Sequence, residues 1–191
     1  EPLHSQPVPV CQQALVIGGG VAGMNAALAL ADQSFPVHLV EKESVLGGNL
    51  RGVHFNHVFE DADPALDPQK YLRALIKQVQ AHPSISTYLS SRVIDTKGFV
   101  GDFNTTLQCA DGSRQEVHHG ATIVATGARE YRGEAYGYSD SPRVISGLQF
   151  EAILAKANRK RVKLDKKAKA AWKALDKAPP NQVLMIQCIG P

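Results

Sequence analysis

From Gly18 to Gly23 the chain reads Gly-Gly-Gly-Val-Ala-Gly, with Ala27 four residues on. The spacing is G-x-G-x-x-G, placed directly after a short apolar run and at the head of an Ala/Leu-rich stretch of helical period. In that setting each glycine has a task. Gly18 permits the tight turn, Gly20 lets a diphosphate approach the backbone, and Gly23 lets helix and strand pack closely. The first backbone N–H groups of the helix, at Val21 and Ala22, and the positive end of its dipole then favour phosphate oxygens. Glu41 lies 18 residues beyond Gly23, at the end of a second apolar run. A carboxylate there accepts hydrogen bonds from ribose hydroxyls and disfavours a 2′-phosphate, so the pattern points away from NADP. Lys42 follows directly, and six residues after Glu41 the doublet Gly47-Gly48, with Asn49, can bring more backbone to the same ligand.

The remaining reactive side chains are scattered. Cys11, Cys109 and Cys188 are the only cysteines, and no two are close in sequence, so dithiol chemistry within this chain has no pair to use. Cys109 alternates with Leu107 in a strand-like stretch and reads as a buried apolar residue. His118 and His119 are adjacent in such a stretch, where neighbours point to opposite faces, so they read as structural and not as joint metal ligands. His54 and His57 follow the glycine doublet and receive no catalytic role. No Ser-His-Asp set, carboxylate pair or zinc spacing emerges.

These residues need elements to hold them. Residues 1–13 contain three prolines and no periodicity, which reads as an extended leader. Ala14 to Ile17 reads as a buried parallel strand, Val21 to Asp32 as a helix, and Val37 to Val40 as a second strand, which together make a βαβ unit. A second helix fits Pro68 to Ala81, with Asp67 as N-cap, Pro68 at its first position, and Tyr71, Leu72, Leu75, Ile76 and Val79 on one face. Ile85 to Leu89 reads as a third strand, and Arg92 to Val117 as a three-stranded meander with a turn at Asp111-Gly112. Ala121 to Ala125 returns as a buried strand. After a turn-rich stretch over 129–149, a helical region from about Gln149 closes at Pro179-Pro180, and Val183 to Gln187 reads as a new strand.

The 191 residues carry 21 Lys+Arg against 18 Asp+Glu, with 43% hydrophobic, 20% charged, 16 glycines and 11 prolines. That balance belongs to a soluble globular chain of one domain or slightly more, and excludes collagen-like or wholly disordered classes. Gly18, Gly19, Gly20, Gly23 and Asn25 interrupt the most apolar stretch, so neither a membrane span nor a signal peptide is expected. The charge is uneven. Residues 156–177 hold ten basic residues and two acidic ones, with Leu164, Ala168, Ala171/Trp172 and Leu175 at the spacing of an amphipathic helix. No aromatics interleave the lysines to stack bases, so nucleic acid is not the expected partner, and a solvated lysine face over an inward Trp172 is the plain reading.

The segment Thr122-Ile123-Val124-Ala125-Thr126-Gly127-Ala128 resembles the Ala-Thr-Gly signature of flavoproteins with two dinucleotide-binding domains. The order of glycine loop, acid, doublet, helix, meander and Ala-Thr-Gly matches that superfamily through residue 128. Four stretches, at 14–33, 37–51, 122–133 and 183–190, together resemble the heterodisulfide reductase A-subunit family. The resemblance implies an α/β fold in which a Rossmann-like parallel sheet carries a β-meander insert, and it implies FAD as cofactor. It divides the chain into a leader (1–13), an FAD-binding domain (14–128), a linker with a basic helix (129–180) and the first strand of an incomplete second domain (181–191). Gly18, Gly20, Val21, Ala22, Gly23, Glu41, Lys42, Gly48 and Asn49 would contact FAD, Thr126 and Gly127 would lie toward the flavin, and Val93 beside the adenine.

The resemblance also implies a cytoplasmic electron-transfer protein working with iron–sulfur partners inside a larger complex. Cys188 falls where the family opens a [4Fe–4S] cysteine cluster, and divides between a cluster ligand in a longer protein and a core cysteine at a strand end. Gly190-Pro191 departs from the family's usual Gly-Ser-Arg, and the basic helix is longer than its linker. The stretch Asn49 to His54 lacks the redox cysteine pair of glutathione reductase types, and no C-x-x-C of the thioredoxin reductase type occurs. The superfamily completes its FAD site with a late segment not found here, so weak FAD retention is expected of this chain, which reads as a piece of a longer protein. Three rivals stand beside this reading: an NAD(P)H-dependent flavin oxidoreductase, a free-standing NAD-binding module, and an interaction module that docks an acidic partner on the basic helix.

Overall fold

The computed structural model describes residues 9–55, 67–158 and 160–186. The apolar runs Ala14–Ile17 (β1) and Val37–Val40 (β2) pair in parallel in full register, Ala14 opposite Val37 and Ile17 opposite Val40. Parallel neighbours need a crossover, and the Ala/Leu-rich α1 (Val21–Ala31) supplies it, burying Gly23, Met24, Ala27 and Ala31 against the sheet. Helix α2 (Pro68–Ala81) adds Leu72, Leu75 and Val79 to the same core, and Asp67 Oδ1 accepts the Gln69 N–H at 2.7 Å. Tyr71 departs from the expected buried face: it is exposed, and its hydroxyl lies 3.2 Å from Asn25 Nδ2.

Strand β3 (Ile85–Tyr88) joins β2, and β7 (Ala121–Val124) joins β1, giving a four-stranded parallel sheet in the order β3-β2-β1-β7. Between β3 and β7 the chain makes the antiparallel meander β4 (Arg92–Phe99), β5 (Asp102–Gln108) and β6 (Arg114–His119), with a bulge between Val93 and Asp95. Leu107 and Val117 of the meander pack with Leu15 and Val40 of the parallel sheet. One part of that expectation fails. Cys109 sits just past the end of β5 and is only half-buried, because the chain turns there, with Cys109 N–H donating to Ser113 O and Gly112 N–H to Cys109 O.

His118 and His119 do point to opposite faces: His118 is exposed beside Asp102 at 2.6 Å, and His119 is fully buried. The Ala121 carbonyl can only accept, so His119 Nδ1 carries the proton (3.1 Å) and Nε2 accepts from the Thr105 hydroxyl (2.8 Å). His38 is held likewise, Nε2 donating to Gln13 Oε1 at 2.9 Å and Nδ1 accepting from the Tyr88 hydroxyl at 3.0 Å. Burial, reinforced by repulsion from His119, pushes the His38 imidazole below the ordinary 6.5. Burial does the same to His119, against its bond to Ala121 and with help from His118. Both groups therefore take up protons more readily when unfolded. The stability they contribute is complete above about pH 6.5 and is lost as pH falls toward their depressed folded values. Urea midpoints should drop between about pH 7.5 and 5.5, and less so in a His38→Gln/His119→Gln variant. An equal drop in both proteins would contradict this account.

The contacts divide the chain into two compact units, 1–50 with 70–127, and 51–69 with 128–191. In the second unit the long basic helix expected over 156–177 is two helices, α3 (Gly147–Ala157) and α4 (Lys166–Lys177). A cap starts each helix, and Asn158 ends the first with its N–H donating to Leu154 O. Ser146 and Gln149 form a capping box at the start of α3, and Asp165 Oδ1 accepts the Ala168 N–H at 2.7 Å to start α4. Ile153 of α3 packs with Leu164, Ala168 and Ala171, and Trp172 is half-buried against them with Lys156 Nζ over its ring. The strand expected from Val183 is not formed among the described residues. Val183, Leu184 and Ile186 are exposed, and neither sheet among the described residues takes a strand from this segment.

Candidate dinucleotide-binding site

The glycine loop is defined by what its missing side chains allow. Gly18 leaves β1 with φ +116°, its N–H donating to Val40 O at 2.8 Å, and a Cβ there would collide with the Ala125 carbonyl. A Cβ on Gly23 would fall within the Gly18 carbonyl oxygen, so helix and strand touch at backbone distance. Gly20 is different. It is the N-cap of α1 with ordinary φ, no side chain caps the helix, and a Cβ there would meet nothing within 4 Å. One glycine of the loop thus faces open space at an uncapped helix start.

Glu41 is 6% exposed, and its carboxylate is fixed by two backbone donors: Gly19 N–H to Oε2 at 2.6 Å and Glu43 N–H to Oε1 at 2.9 Å. Each oxygen keeps accepting capacity for a hydroxyl. The doublet is bonded to the same loop. Gly47 N–H donates to Gly19 O at 2.8 Å, and Gly48, at φ +51°, comes so near that a Cβ would lie 3.1 Å from Gly20 Cα. Ser91 N–H to Glu41 O (3.0 Å) and Ser90 N–H to Glu43 O (2.9 Å) hold the start of the meander alongside. Thr126 and Gly127 follow β7 next to Gly18 and are exposed, Gly127 with φ +65°.

The structure therefore brings Gly18, Gly20, Gly23, Glu41, Gly48 and Thr126 into one bonded neighbourhood, with Gly127 next in the chain. Val21 is half-buried on the core beneath, and Ala22, Lys42 and Asn49 are exposed around it. Val93 is half-buried against the apolar cluster of Leu15 and Val40. Cys188 and His57 lie outside the described residues. Sequence reasoning passes over Leu46, buried under Gly19 where a Cβ would strike its Cδ2, and Ser90-Ser91. An apolar residue immediately before a glycine doublet is the available signal for the first; nothing local marks the second. The arrangement can take a diphosphate at an uncapped helix start and a vicinal diol at a buried carboxylate.

A family model for pyridine nucleotide-disulphide oxidoreductases matches residues 12–170. Among curated relatives, the iron-sulfur A-subunit 1 of CoB–CoM heterodisulfide reductase from Methanopyrus kandleri is 39% identical over 108 residues, 56% of this chain and 15% of that protein. The A-subunit of the Ferredoxin/F(420)H(2)-dependent CoB-CoM heterodisulfide reductase from Methanosarcina acetivorans is 44% identical over 94 residues, 49% of this chain and 11% of that protein. The matched part is thus a small fraction of those relatives. The solved structure of L-proline dehydrogenase from P. horikoshii shares the fold, with TM-score 0.56 and 20% identity over 92% of this chain and 36% of that one. No helix among the described residues is long and apolar enough to cross a membrane. With a glycine loop, buried acid and β-meander in this arrangement and the family model spanning 12–170, the chain belongs to the pyridine nucleotide-disulphide oxidoreductase family, a family of FAD-dependent oxidoreductases.

Proposed function

We propose that this chain is the FAD-binding part of an electron-transfer oxidoreductase resembling the heterodisulfide reductase A-subunit, in which the flavin relays electrons between iron–sulfur partners. One observation carries the reading: a glycine loop open at Gly20 beside the buried Glu41, in a chain whose stretch 42–55 has no cysteine. A flavin site without an adjacent thiol pair suits electron exchange with an external centre better than dithiol chemistry. The open backbone at Gly20 and the lone pairs left on Glu41 fit a dinucleotide. FAD, when bound, supplies the one- and two-electron chemistry. The chain's own residues bind and orient. Gly18, Gly20, Val21, Ala22 and Gly23 would hold the diphosphate, and Glu41 the adenosine ribose. Lys42, Gly48 and Asn49 would close over the dinucleotide, Val93 would lie beside the adenine, and Thr126 and Gly127 would border the flavin.

The same reading takes Cys188 as a [4Fe–4S] ligand in a longer protein, other subunits of an electron-transfer complex as partners, the cytoplasm as location, and residues 181–191 as the entry to a second domain. The relatives' names, which include iron-sulfur and ferredoxin, support it. Calorimetric titration with FAD and with NAD, followed by reduction of the FAD-loaded chain with a reduced ferredoxin or with NADH, tests it. FAD should bind in preference to NAD, and the bound flavin should bleach with the iron–sulfur donor. Tighter NAD binding would favour a simple NAD module, and equal bleaching by NADH would favour an NAD(P)H-dependent oxidoreductase.

A further inference from the structure

The second unit contains an open groove of about 470 Å³, within the usual range of ligand clefts. Arg51, His54, Arg132, Arg161 and Lys163 line it, and among the described residues Asp165 is the one carboxylate in its lining. That carboxylate is already committed. Its Oδ1 accepts the Ala168 N–H, and its Oδ2 takes Gln149 Nε2 at 2.9 Å and Arg132 Nη1 at 3.3 Å. Arg132 is in turn gripped by Glu130 Oε2 at 2.9 Å, so its guanidinium is held in place at the groove. The backbone of His54 is pinned from two sides, its N–H donating to Glu151 Oε1 and its carbonyl accepting from Lys160 Nζ, both at 2.7 Å. Arg161 and Lys163 are exposed, and among the described residues no carboxylate pairs with either. Arg161 and Lys163 stand in the same concavity, and a concave shape concentrates the field of like charges on an anion that enters it.

We infer that this groove is a binding site for a small phosphate-bearing anion, with Arg161 and Lys163 supplying the attraction and the fixed Arg132 shaping the wall. Every lining residue belongs to the second unit. Inorganic pyrophosphate, titrated calorimetrically into the full chain, is the probe. Binding should weaken by about tenfold or more in an Arg161→Ala/Lys163→Ala variant, the loss of two charge-assisted bonds. It should be unchanged in Lys173→Ala/Lys177→Ala, which removes equal charge from α4 outside the groove lining, and should persist in Gly20→Ala. Three results overturn the site: no binding to the wild type, an equal loss in the α4 variant (diffuse charge attraction), or loss in Gly20→Ala with the groove variant unaffected (pyrophosphate at the glycine loop).

Discussion

Alanine at Gly23 lowers stability by about 3 kcal/mol, the upper range for overpacking a site that cannot relax. The new methyl group would occupy the space of the Gly18 carbonyl oxygen. That oxygen cannot retreat cheaply, because Gly18 N–H is bonded to Val40 O and its other side faces the Ala125 carbonyl. Shifting α1 outward instead would open the contact of Met24 and Ala27 with Val16 and Leu39 in the main core. Urea denaturation followed by circular dichroism measures the loss, and a midpoint equal to wild type would contradict this close packing.

Alanine at Gly20 has the opposite signature. Its φ of −75° suits any residue and its Cβ meets open space, so stability stays within about 0.5 kcal/mol of wild type. FAD affinity should fall by about a hundredfold, near 2.7 kcal/mol, because the methyl group stands where the diphosphate must approach the helix start. Flavin fluorescence titration against the wild type reads the change. Intact binding in Gly20→Ala would remove the dinucleotide from this loop, whatever the stability result. Together the two variants separate a glycine needed for packing from a glycine needed for a ligand, three residues apart in one motif.

The motif and the elements on either side of it are legible from the chain alone, for a local reason. Apolar runs such as Ala14–Ile17 and Val37–Val40 have few ways to hide from water, and the glycines at 18, 20 and 23 announce backbone demands made by their immediate neighbours. The caps at Asp67, Ser146 and Asp165 are equally local, yet only the first stands out in the sequence. The lysine-rich periodicity of 156–177 suggests one continuous helix and hides the third, where the Asp165 cap starts a new helix. Cys109 and Val183 fail for a different reason: alternation and apolar character say that a segment could be a strand, and only a neighbouring strand makes it one.

What this sequence determined by itself is a dinucleotide-type βαβ unit with an acid at the end of its second strand and a meander before Ala-Thr-Gly. What the tertiary structure decided is the use of those parts. The Glu41 carboxylate points at Gly19 N–H, the Gly47 amide closes on Gly19 O, and His38 lies within electrostatic reach of His119. Arg161 and Lys163 come to share a groove with Arg51 and Arg132, residues distant in the chain. Each of these depends on the register of strands or the packing of helices tens of residues apart. Side-chain direction, burial and proximity are set by that packing, whereas backbone permissiveness and hydrophobic period are carried by the residues themselves.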